Sequence, residues 1–224
     1  MKAGRGLTET LALTDQAAPR SSAGRAAYLE RRRAATRNGI LLAARRVFAD
    51  ASYVDAKIDD IIGAAGVSRA TFYSHFESKL ELACAIYEET VPETRALFAR
   101  LPDLAGGDLA AVREWLDGFV AIHLEHRYVT PLIAQLQLFE SGFRARILQD
   151  TEALIDLVAA SGVSVFARAA QEKRQRVKVR LLFNRVANLC AEVARGEFEG
   201  EAREISLDLA GEEILRFLMN EIAN

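Results

Sequence analysis

The sequence predicts an all-α protein of about nine helices: a three-helix helix-turn-helix domain near the N-terminus and a larger helical domain after it. Three observations carry this expectation. Apolar residues recur at three- and four-residue intervals along most of the 224 residues, the period of helices with a buried face. No stretch alternates apolar and polar residues as a half-buried strand does. Half of the residues are hydrophobic and only 4 are proline, so helices can run uninterrupted around sizeable cores.

Residues 1–27 are rich in Ala, Thr, Ser, Gly and Arg without a sustained period, and are expected to form a flexible basic arm. A helical pattern begins near Tyr28, and Ile40, Leu41, Ala44, Val47 and Phe48 mark its buried face. Gly39 interrupts it at a cost of about 1 kcal/mol. A short helix at 58–65, a turn at Gly66 and a second short helix at 69–76 follow. Ser78 and Glu81 form a capping box that opens a helix to about residue 100, with a kink expected at Pro92. Further helices are expected at 108–125, 130–140, 143–160, 163–174, 177–195 and 205–222, separated mainly by glycines. The domain boundaries predicted are 28–82 for the helix-turn-helix unit and 83–224 for the rest.

The formal net charge of −2 conceals an asymmetry: residues 1–80 carry +5 and the remainder −7. A basic end on an acidic body suggests that only the first part meets a polyanion. No apolar run reaches the ~18 residues of a membrane span, and the N-terminal stretch lacks the apolar segment of a secretion signal, so a cytoplasmic protein is expected. Cys84 and Cys190 lack metal-type or redox spacing and read as core residues.

The informative stretch is 58–76. Gly66 supplies a left-handed residue to end the first helix, Val67 fills the space between helices, and Ser68 caps the second. Ile58, Ile61, Ile62 and Ala65 face inward from one helix, Phe72 and Phe76 from the other. That leaves Arg69, Ala70, Thr71, Tyr73, Ser74 and His75 on the outside, the short or polar set that a recognition helix carries into a DNA major groove.

The segment from Gly39 to Phe48, with the run Ala65-Gly66-Val67-Ser68-Arg69-Ala70-Thr71-Phe72-Tyr73-Ser74-His75-Phe76-Glu77-Ser78-Lys79-Leu80, resembles the DNA-binding domain of the TetR family. The resemblance covers residues 37–82. It implies a regulator that binds double-stranded DNA as a homodimer on a near-palindromic operator, usually as a repressor, with a C-terminal domain that dimerises and senses a small molecule. It further implies that Tyr73 and Lys79 contact phosphates, that Lys57, Ser68 and Thr71 lie beside them, and that Arg69, Ala70, Ser74 and His75 stand at base edges. Arginine can fork onto guanine, whereas lysine and tyrosine position without reading sequence. Four positions depart from the family pattern: Ser52 and Ala70 replace glycines, Ile62 replaces an alanine, and Ala56 stands where a threonine often caps the second helix. Asp55 or water would then supply that cap. The arginines between Arg20 and Arg37 fit either a minor-groove arm or a solvated tail.

In the larger domain, Val186, Leu189 and Val193 on one helix and Ile214, Phe217 and Leu218 on the last are apolar beyond a single stripe. Such helices bury two sides, which fits a four-helix dimer interface or a pair buried within one chain. Trp115, Phe119, His123, Phe139 and Phe143 either line a cavity for a small apolar effector, with His123 as polar anchor, or form plain core. His123 and His126 lack a persuasive third ligand, so no metal and no cofactor are expected. The charged run 172–180 reads as a solvated face. No phosphate-loop, zinc-protease or nucleophile-elbow motif is present, which argues against an enzyme.

Overall fold

The computed structural model describes residues 22–219; the first 21 residues of the expected arm and the last five residues lie outside it. The described residues are helical, with no strand among them. The chain falls into two units, one up to Gly39 and one from Ile40 onward. Helix α1 spans Ser22–Asp50 and begins six residues before the expected start, so residues 22–27 are helix. Alanine and arginine propensity explains this: the stretch is rich in good helix formers and needs no buried face. Burial in α1 is confined to its second half, from Ile40 to Phe48.

From Ile40 onward the helices form one unit. Helices α2 (Ile58–Ala65) and α3 (Arg69–Tyr73) complete the N-terminal trio. The helix expected from Ser78 to about residue 100 is two helices, α4 (Lys79–Glu88) and α5 (Val91–Ala99). Pro92 sits in the first turn of α5, where its missing N–H costs nothing, so the chain restarts there rather than kinks. Then come α6 (Leu109–Glu125), α7 (Val129–Phe139), α8 (Ser141–Ala159) and the single turn α9 (Ser164–Ala167). The expected helix at 163–174 is only α9 and a 3₁₀ turn; Lys173 already opens α10 (Lys173–Ala194), and α11 is Gly200–Met219.

Two cores hold this unit. In one, Ile40, Ala44, Ile61, Phe72 and Phe76 pack with Leu82 and Ile86 of α4, and with Val129, Leu132, Leu136 and Phe143 of α7 and α8. The helix-turn-helix therefore shares a core with the body. In the other, Phe98 meets Trp115, Phe119 and Phe183 edge-on, with ring centroids 5.2, 5.2 and 4.7 Å away. Helix α6 packs against α10 and α11. A Cβ on Gly211 would lie 2.7 Å from Leu109 Cδ1, so glycine sets how closely α11 approaches α6. No helix among the described residues is long and apolar enough to cross a membrane.

Candidate nucleic-acid interface and adjoining cavity

The turn between α2 and α3 is built as the residue types dictate. Gly66 adopts φ 64°, and its N–H and that of Val67 bond back to Gly63 and Ile62, closing α2. Ser68 Oγ accepts the Thr71 N–H at 3.0 Å and lies 2.8 Å from Thr71 Oγ1, capping α3. Phe72 and Phe76 are buried beneath. Arg69, Ala70, Tyr73 and Ser74 are exposed; Thr71 and His75 are half-buried. Ser74 Oγ donates to the Thr71 carbonyl. Arg69 pairs with Asp59 of α2, and both side chains are well exposed, so the guanidinium can exchange this partner for another. Asp55 does not cap α2: Lys57 takes the cap position without a side-chain cap bond, and its N–H donates to the Asp60 carboxylate at 3.2 Å. Ala56 is buried and Asp55 is turned to Ser52.

Lys79 has a role the sequence reading did not assign. Its ammonium donates to the carbonyls of Tyr53 and Ala56 at 2.6 and 2.9 Å, with a longer contact to Val54, and lies 4.5 Å from the Tyr53 ring centre. Lys79 opens α4 and thereby holds the turn that feeds α2. The side chain is half-buried, in a shallow depression also lined by Lys57, Arg69 and Tyr73.

Helix α7 ties this turn to the body. Gln135 Oε1 accepts the Tyr53 N–H at 2.6 Å, and the Tyr53 hydroxyl donates to Glu140 at 2.9 Å. Arg45 of α1 pairs with Glu89 beyond α4 and lies 5.5 Å over the Tyr128 ring at the start of α7.

The other face of α7, carrying Thr130, Ile133, Ala134 and Gln137, lines a cavity of about 590 Å³ between α5, α6, α7, α8 and α10. Of the five expected lining residues, Phe119 and His123 are on its wall. The other three need correction. Trp115 is in the core behind Phe98 and Phe119, its Nε1 donating to the Leu97 carbonyl at 2.9 Å. Phe143 is buried in the helix-turn-helix core against Tyr87. Phe139, at the end of α7, is 62% exposed. Helical spacing put these aromatics near one another without saying which side of each helix the cavity takes. His123 Nδ1 meets Thr130 Oγ1 at 3.1 Å, and its buried Nε2 has no hydrogen-bond partner among the described residues. Burial, with Arg195 and His126 adding to it, pushes the imidazole down to about 4, so it is neutral near pH 7. His126 turns instead to Glu93 at 3.0 Å. Glu93, Glu125 and His126 bring ligand atoms within 4.8 Å of one another, with both carboxylates exposed. The wall is more polar than expected: Arg180, read as part of a solvated run, faces it, as do Asn184, Asn188 and Arg195.

The expected interface residues are also placed differently. Val186, Val193, Ile214 and Leu218 are buried in the chain's own core, and Leu189 and Phe217 pack against it, Phe217 beside Phe166. The large apolar residues left exposed are Val177 and Leu181 on α10 and Ile205, Leu209 and Met219 on α11. An Arg185–Glu213 pair at 2.8 Å joins the two helices one turn beyond Leu181 and Leu209.

A capped helix-turn-helix, fused through one core to a helical body with a cavity, defines the class of protein. Residues 40–86 match the model of the TetR family of bacterial regulatory proteins. Over 55 residues it is 46% identical to the transcriptional activator FasR of Mycolicibacterium smegmatis, covering 25% of this chain and 25% of that one. Over 70 residues it is 39% identical to the transcriptional regulator CymR of Pseudomonas putida, covering 30% and 34%. The match thus spans a quarter to a third of these relatives' length. The fold is similar over nearly the whole body to a TetR-like transcriptional regulator from Rhodococcus sp. RHA1, with TM-score 0.55, 22% identity, and coverage of 84% of this chain and 96% of that one.

Proposed function

We propose that the chain is a DNA-binding regulator of transcription in the cytoplasm, acting as a homodimer on a near-palindromic operator, and that a small molecule in the cavity weakens its hold on DNA. The observation that carries the reading is the exposed outer face of α3 on a fully capped turn. Arg69, Ala70, Ser74 and His75 stand at base edges, with Arg69 leaving Asp59 for guanine. Lys57, Ser68, Thr71 and Tyr73 contact the phosphates, joined by whatever part of the Lys79 ammonium its carbonyls leave free. Residues 28–82 form the reader and 83–224 the dimerising, sensing body. The arginines of α1 before Ile40 add sequence-independent affinity.

Dimerisation uses Val177, Leu181, Ile205 and Leu209, which burial in a four-helix contact would remove from water. Two-fold symmetry then sets the recognition helices about 34 Å apart, one DNA turn. Coupling runs through α7, one face of which lines the cavity while Gln135 and Glu140 hold the Tyr53 turn. A ligand that prefers one placement of α7 by about 1.4 kcal/mol changes DNA affinity tenfold. A repressor is the leading reading, and an activator, the role named for the relative FasR, is the second. Mobility shift on the DNA upstream of the protein's own gene tests DNA binding, and transcription from that DNA in vitro decides the sign. Retardation no stronger than with unrelated DNA would overturn the reading.

A further inference from the structure

The cavity has two unlike walls. Toward α5, α6 and α8 it is aromatic and aliphatic, with Phe98, Phe119, Ile122, Ile147 and Leu154. The α10 wall follows one helical face: Arg180, Asn184, Ala187, Asn188, Ala191 and Arg195. The alanines leave room, and the longer residues offer donors. Neither Asn184 nor Asn188 has a hydrogen-bond partner within the described residues. The charge of the lining is one-sided. Arg95, Arg144, Arg180 and Arg195 line the cavity with a single carboxylate, Asp150, which already accepts from the Tyr87 hydroxyl and from Arg146. Arg180 and Arg195 reach Glu152 and Glu197, whereas Arg144 donates to the Gln137 and Leu138 carbonyls. His123 adds no charge near pH 7, since burial holds it neutral.

We infer that the cavity takes an amphipathic organic anion, its apolar body on the Phe98–Phe119 side and its carboxylate on the α10 wall at Asn188 and Arg195. Ala191 lies between these two residues, which are seven apart and so share a helix face. A carboxylate there gains a charge-assisted bond from Arg195, taking the place of its Glu197 partner, and a neutral one from the Asn188 amide, both side chains being exposed and free to reorient. A neutral amphiphile would forgo the first of these, and a cation would meet four guanidinium groups. The inference rests on the reading of this cavity as the effector site, but its test does not need DNA.

The test uses three probes of one chain length: decanoate, decanol and decylammonium. Binding to the full chain is followed by calorimetry and by the emission of Trp115, the single tryptophan, which packs against Phe98 and Phe119 behind the cavity wall. Decanoate is expected to bind at least about tenfold tighter than decanol, with no binding of decylammonium. Arg195→Gln is expected to erase most of that advantage while leaving decanol unchanged, and Asn188→Ala to weaken decanoate and decanol alike. Raising the salt concentration should weaken decanoate alone, a check that requires no variant. Equal affinity for acid and alcohol, preference for the ammonium, or no binding of decanoate would overturn the inference. Decanoate binding that leaves operator affinity unchanged would sustain it and instead sink the coupling of this cavity to DNA.

Discussion

Replacing Lys79 by alanine deletes an ammonium that donates to the Tyr53 and Ala56 carbonyls at 2.6 and 2.9 Å and lies 4.5 Å from the Tyr53 ring centre. Hydrogen bonds from a charged donor contribute about 1.5–3 kcal/mol each when shielded. Lys79 is half-buried, so water can replace part of each bond, and about 1 kcal/mol apiece is the fair figure. The ring contact adds about 0.5–1 kcal/mol. The total loss is about 2–3 kcal/mol, which for a chain of this size lowers the melting temperature by roughly 4–12 °C. Lys79→Met keeps most of the aliphatic stem and should lose nearly as much, because the charge is what the carbonyls hold. Thermal and urea denaturation measure this directly, and hydrogen exchange at the amides of 53–61 should rise first. A Lys79→Ala protein that melts within a degree of wild type, yet loses DNA binding, would refute the clamp and leave Lys79 as a phosphate contact alone.

The remaining expectations use different parts of the fold. Gly66→Ala meets no steric neighbour but forces alanine to φ near 64°, so it should cost about 1–2 kcal/mol, read by urea denaturation, with Gly66→Asn milder. Leu181→Glu with Leu209→Glu should give folded monomers by light scattering, whereas Val186→Asp should unfold the chain, as Val186 is buried in its own core. The His123 pKa is lowered from 6.5 to about 4, so the unfolded chain binds the extra proton first. Stability should therefore fall as pH drops from about 6.5 toward 4, and His123→Gln should flatten that slope in urea titrations.

The helix-turn-helix was legible in the sequence because its signals are local. Gly66, Ser68 and the inward residues Ile61, Phe72 and Phe76 each answer a requirement of the backbone within a few positions, and the structure meets them all. Asp55 was misjudged as the α2 cap: it turns to Ser52, and the Lys57 N–H at the cap position donates to Asp60 three residues on. The cavity and the exposed face of α10 and α11 were not legible. A wide apolar arc states that a helix buries two sides, not which neighbour covers which side. Val186 and Ile214 thus went to the chain's own core while Leu181 and Leu209 stayed outside. The Arg180, Asn184, Asn188 spacing on α10 was available as a polar stripe at helical period, but the adjoining charged run hid it. Lys79 lies 26 residues from Tyr53, and no short-range pattern joins them.

The central claim is that the outer face of α3 reads DNA and that two such faces act together. The most direct measurement is fluorescence anisotropy of the full chain on a fragment of its own upstream DNA, with Arg69→Ala and Tyr73→Ala in parallel. Sequence-preferred binding of two chains per site is expected, with Tyr73→Ala weakening all sites alike and Arg69→Ala relaxing preference at particular base pairs by about 1–3 kcal/mol. Binding that is equal on unrelated DNA and unmoved by both substitutions would contradict the account.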